Sequence, residues 1–155
     1  LVEFRHRSWL DEENRVQTLA FLESIGAGYV IVDAPKTDAK NLVPTVVART
    51  NRTAYVRFHG RNAATWNKRT GSEAERYDYL HSYEELQEWA PALRELAGEA
   101  EQVFAMFNNN GRSAMPSTGL EGLDPLEVAG DPARGEVAQA PANALMLRRL
   151  LATGP

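Results

Sequence analysis

An α/β fold on a parallel sheet is what this sequence predicts, and three observations carry the prediction. Strand-like segments take turns along the chain with segments of helical periodicity, an order that implies right-handed crossovers between parallel strands. One strand-like run, YVIVD at residues 29–33, is apolar until its last residue, as a strand covered on both faces must be. Two others, VEFRH at 2–6 and YVRFHGR at 55–61, set charge on one face and Val or Phe on the other.

The opening residues, 1–6, alternate with period two and carry Val2 and Phe4, which predicts a first strand. A helix is expected next. Asp11 is placed to cap it, Val16, Leu19, Ala20, Phe21 and Leu22 recur at helical spacing, and Gly26 is placed to stop it. After the strand at 29–33, residues 34–53 show no amphipathic helix and lead into a third strand, AYVRFHG. A polar loop over 61–80 follows, and then Ser82 with Glu85 forms a capping box ahead of an apolar stripe, Leu86, Trp89, Ala90, Leu93 and Leu96. Pro91 falls inside that stripe and predicts a kink or a split into two helices. VFAMF at 103–107 is the fourth strand, closed by Asn108, Asn109, Asn110 and Gly111. The Gly/Pro-rich stretch 112–139 reads as a loop excursion within a single domain over 1–155, and a last helix runs from about Pro141 to Ala152.

Composition narrows the class. With 155 residues, 43% hydrophobic and 25% charged, the chain is one ordinary globular domain in size and make-up. No apolar run approaches the roughly 20 residues of a membrane helix, so a cytoplasmic protein without a membrane partner is expected. Zero cysteines remove disulfides, thiolate metal sites and a cysteine nucleophile together. Net charge is -4, yet nine basic residues, Arg69 among them, face three acidic ones between Ala34 and Arg76. Such a segment attracts anions, whereas generic nucleic-acid binding would call for a basic domain as a whole and is not favoured.

Functional residues in parallel sheets gather at the carboxyl ends of the strands. On that rule the site draws on His6, Trp9, Asp33, His59, Arg61, Asn108 and Asn109, with Glu3, Arg5 and Arg57 just beneath. Buried ionic groups need partners or a water-filled hollow. If the Val/Phe face packs under helices, the charged face must meet the inside of a closed barrel near its mouth.

Four stretches, VEFRHRSW, YVRFHGR, MFNNN and PANAL, resemble motifs of the YecE-like family of TIM-barrel proteins, known as domain of unknown function 72, and they occur in the family's order. The resemblance implies that the four strands correspond to the last four strand–helix units of a TIM (β/α)8 barrel. A full barrel takes about 250 residues, so a missing N-terminal half-barrel, or self-association, is expected to cover the open sheet edges.

The chemistry expected is that of an enzyme, a hydrolase, isomerase or lyase, acting on a small anionic or phosphorylated substrate. Arg5, Arg57 and Arg61 offer forked donors to the anion; Glu3, Asp33 and His59 move protons; His6, Trp9, Asn108 and Asn109 orient the substrate. The structural alternative is a Glu3–Arg57 ion pair with His59 on a backbone carbonyl, and Asp33 as a turn cap. No cofactor is expected. A zinc or manganese site from Glu3, His6, Asp33 and His59 is a minority alternative, and a binding module for RNA, a nucleotide or a protein is another; it would show a flat basic surface in place of a concave pocket.

Overall fold

The computed structural model describes residues 1–68, 73–123, 127 and 129–153. Arg69 and part of the Gly/Pro-rich stretch, 124–126 and 128, lie outside the described residues.

β1 (Val30–Asp33), β2 (Thr53–Phe58) and β3 (Gln102–Phe107) form a parallel sheet in that order. The register sets Val32 beside Arg57 and Met106, and Asp33 beside Phe58 and Phe107. The expected first strand over 1–6 is reduced to one parallel bridge, Val2 to Tyr29, made by the Val2 N–H on the Gly28 carbonyl at 2.7 Å and the Val30 N–H on the Val2 carbonyl at 2.9 Å. It goes no further because the chain leaves β1 and turns into a 3-10 helix at Arg7–Trp9.

The helices follow the local signals closely. The exception is Asp11, which does not cap α1 (Arg15–Ser24): its carboxylate accepts from the Asn14 N–H at 2.9 Å and its carbonyl from the Arg15 N–H at 3.0 Å in a turn ahead of the helix, whose N-cap is Asn14. Gly26, at φ +69°, ends it in the left-handed region. A short α2 (Ala63–Trp66) interrupts the polar loop. Both halves of the Ser82/Glu85 capping box are present on α3 (Tyr83–Gln87). Pro91 divides the apolar stripe in two, since it occupies the first turn of a separate α4 (Ala90–Glu99), where a missing N–H costs nothing. The excursion 112–139 is tied at its ends, as β4 (Arg112–Ala114) pairs antiparallel with β5 (Glu136–Ala138), and α5 starts two residues early, spanning Gln139–Ala152.

One face of the sheet, with Ile31, Ala54, Val56 and Phe58, is buried in a single core with Leu86, Leu93, Leu96, Met146 and Leu147 of the helices. On the other, Phe104 and Met106 remain 42% and 47% exposed. The basic middle segment is answered by acids further along the chain: Arg49 meets Glu99 at 3.5 Å, Arg52 meets Glu101 at 2.8 Å, and Lys36 meets Glu88 at 3.8 Å. Its surplus is thus largely internal. No helix among the described residues is long and apolar enough to cross a membrane.

Candidate functional site

Side-chain parity puts Glu3, Arg5, Arg57 and His59 on the open face, and they meet. The Glu3 carboxylate takes Arg57 Nη1 at 2.6 Å on one oxygen, and His59 Nε2 at 3.0 Å with Arg5 Nη2 at 3.0 Å on the other. Burial opposes the charged form of Glu3, but the hydrogen bonds from His59 and Arg57 and the nearby charges outweigh it and lower the carboxyl from 4.5 to about 2. Glu3 is therefore a fixed carboxylate. His59 is 1% exposed; its Nε2 bonds Glu3 at 3.0 Å and its Nδ1 lies 3.3 Å from the Asn108 amide. Trp66 and Tyr77 pack on the same ring, at centroid distances of 6.2 and 5.5 Å, which is where these loop aromatics go. Arg57 keeps 30% of its side chain exposed and Arg5 59%. A cleft of about 350 Å³ opens along this face, with Glu3, Arg57 and Asn108 at its polar end and Val30, Tyr55 and Met106 along its apolar wall.

Asp33 and Arg61 do not belong to this cluster. Register aligns Asp33 with Phe58, so its side chain enters the helix-covered face, fully buried. There it accepts from Arg61 Nε at 3.0 Å, His81 Nε2 at 3.1 Å and Trp89 Nε1 at 3.3 Å. Burial works against its charge, and the His81 and Arg61 bonds overcome that and hold the carboxyl below its ordinary value. Arg61 also reaches Glu88 at 3.0 Å, so its charge is spent inside the protein. Glycine is required between the two clusters: at φ +90°, a Cβ on Gly60 would lie 2.5 Å from the Tyr79 Cβ.

The remaining expectations divide. Asn108 joins the open cluster, as above. Asn109 turns the other way, donating to the His59 and Tyr77 carbonyls at 3.4 Å and accepting from Asn143 of α5 at 3.0 Å. His6 is exposed and bonds Ser8 Oγ at 2.8 Å, and Trp9 stacks on Phe4 at 5.2 Å. Both lie away from the cluster, because Phe4 faces α1. The four residues weighed as metal ligands do not converge: Glu3 meets His59 only, and no group of three His, Asp or Glu suited to a metal occurs among the described residues.

Sequence reading passed over His81, Gln139 and Asn143. Gln139 accepts from the Tyr79 and Gly111 N–H groups and donates to Asp78 and Ser113, while Asn143 accepts from the His81 N–H. These buried amides tie α5 to the loops that carry His59 and Asn108. The available signal was two amides, four residues apart, in the otherwise apolar first half of the last helix.

Comparison with known proteins matches this arrangement to proteins about twice its length. The chain is similar to the UPF0759 protein YunF of Bacillus subtilis (strain 168), with 35% identity over 131 residues that cover 82% of this chain and 46% of that protein. Its fold is similar to a DUF72 family protein from Thermotoga maritima (TM-score 0.69, 34% identity, 97% of this chain and 45% of that one) and to one from Enterococcus faecalis V583 (TM-score 0.73, 27% identity, 99% and 47%). The chain thus spans about half the length of these relatives. The family model described as protein of unknown function DUF72 matches residues 1–143, and on that match together with these likenesses the chain belongs to the DUF72 family.

Proposed function

We propose that the chain is the C-terminal half of a (β/α)8 barrel and that its open-face cluster binds a small anionic substrate, with the phosphate or carboxylate group held by Arg57 and Arg5. One observation carries this most directly: two guanidinium groups share one carboxylate, so the cluster keeps a positive charge beside an open cleft. The geometry also redistributes the expected roles. Glu3 is held ionised and orients both guanidiniums and His59; His59 is the proton-holding group; Asn108 fixes its ring and faces the cleft. Asp33 and Arg61 contribute as a buried support at the ends of β1 and β2. The half-barrel is supported by the parallel strand–helix order, by the ionic face and by relatives of twice the length.

The test is a calorimetric titration with phosphate and with sulfate at low ionic strength. Arg57→Ala should weaken binding roughly tenfold or more, as expected for a lost charge-assisted hydrogen bond. Arg5→Gln, at a side chain too exposed to matter for folding, should weaken it several-fold. Unchanged affinity in both variants would count decisively against an anion site here.

A further inference from the structure

We propose that the chain carries a second small-molecule site, in the helix layer between the 34–47 crossover and the start of α4, and that it takes a singly charged organic carboxylate with an apolar body. The inference goes beyond the open-face reading and does not depend on it.

The site follows from a crossover without a helix. The described residues 34–52, between β1 and β2, form an irregular strap instead. Between that strap and the α3–α4 junction lies a cavity of about 620 Å³. Small-molecule sites commonly run from about 300 to 1,000 Å³. The open-face residues Glu3, Arg57 and Asn108 line a different cleft. The walls are held by the chain's own bonds: Thr45 Oγ1 donates to the Val32 carbonyl at 3.1 Å, the Leu42 N–H to the Ala39 carbonyl at 3.0 Å, and the Arg7 N–H to the Lys40 carbonyl at 2.9 Å. Pro35 and Pro44 stiffen the strap further. A wall ordered in advance lowers the cost of binding.

Charge selects the ligand. Arg7, Lys36 and Arg61 face the cavity together with Asp33, Asp38 and Glu88, so the formal charges balance, but the groups are not equally available. Asp33 is filled by Arg61, His81 and Trp89, and Glu88 accepts from Arg61 at 3.0 Å. Arg61 is thereby committed to these two acids. Arg7 and Lys36 are held loosely. Among the described residues the Arg7 guanidinium bonds only the fully exposed Asp38, at 3.4 Å, and Lys36 reaches Glu88 at 3.8 Å with both side chains more than half exposed. Such pairs contribute little and yield to a better partner. A ligand carboxylate is that partner. A dianion such as phosphate would meet the Asp33 and Glu88 carboxylates, and a cation would find these acids filled and be repelled by Arg7 and Lys36. Leu42, Pro44, Val47, Trp89 and Ala92 supply apolar wall for the body of the ligand. Val47 is a large apolar side chain left 44% exposed, and it stands in this wall.

The probe is phenylbutyrate, with uncharged phenylbutyramide as its match, each titrated into the isotope-labelled 155-residue chain and followed by amide chemical shifts. The acid should bind saturably, with a dissociation constant of about a millimolar or tighter for about a dozen heavy atoms, and should shift amides within 34–47 and 88–92. The amide should bind about tenfold more weakly, for want of the charge-assisted bonds. Arg7→Gln and Lys36→Gln, both outside the core, should each weaken the acid several-fold and leave the amide unchanged. Val47→Asp should abolish binding of both with an unchanged far-UV circular dichroism spectrum. Equal affinity for acid and amide overturns the carboxylate assignment. Shifts centred on Arg57 and Asn108, or no saturable shift within 34–47, overturn the site. Sulfate binding through Arg57 is read separately, so either site can fail while the other stands.

Discussion

Glu3 is the residue on which the open cluster turns. It is 12% exposed, bonded to three cationic or ring partners, and its carboxyl is lowered to about 2. A lowered carboxyl stabilises the fold above its ordinary value and ceases to do so as pH falls through the folded one. Acid titration followed by circular dichroism should therefore show a loss to which Glu3 contributes on the order of 2 kcal/mol between about pH 4.5 and pH 2 after solvent screening, and Glu3→Gln should remove that share and leave the one from Asp33. The same substitution removes the carboxylate that shares the guanidiniums, so sulfate should bind several-fold tighter to Glu3→Gln. Asp33 offers a contrast. Asp33→Asn removes the most buried of the three carboxylates that face the Arg61 guanidinium, and denaturant unfolding should record a loss of roughly 3–5 kcal/mol.

At the scale of elements, the local signals held wherever a turn of chain could satisfy itself. Ser82 with Glu85, Gly26 and Pro91 each did what side-chain chemistry dictates, because caps and breakers act within about four residues. The first strand fell short because the chain turns away from β1 after the single Val2–Tyr29 bridge. α5 shows the reverse case, a helix whose apolar pattern concealed two polar anchors, since Gln139 and Asn143 hold the loops behind His59 and Asn108. Asn143→Ala strands the buried His81 N–H and the Asn109 amide oxygen, and should cost about 2 kcal/mol in thermal or denaturant unfolding. Gln139→Leu should cost at least as much, with β4–β5 loosened through the lost Ser113 bond, visible as faster amide exchange there.

For the molecule as a whole, the two faces of the sheet divide the labour. The covered face carries the core and the Asp33–Arg61–His81 support; the open face carries the ionic cluster, with Phe104 and Met106 exposed on it.

Alternation alone decided which residues of one strand share a face: Glu3 with Arg5, and Arg57 with His59, were legible in VEFRH and YVRFHG because a strand's side chains alternate whatever its neighbours do. The family was legible too, in short motifs that carry their own residues. Which faces of different strands coincide was decided only by tertiary structure. Asp33 and His59 both end strands and looked like partners, but the register sets Asp33 level with Phe58, one residue earlier, and a shift of one residue sends a side chain to the opposite face of the sheet. Strand pairing depends on contacts between distant segments, and so neither the separation of the two clusters nor the amide ties of α5 was written in any single stretch of the chain.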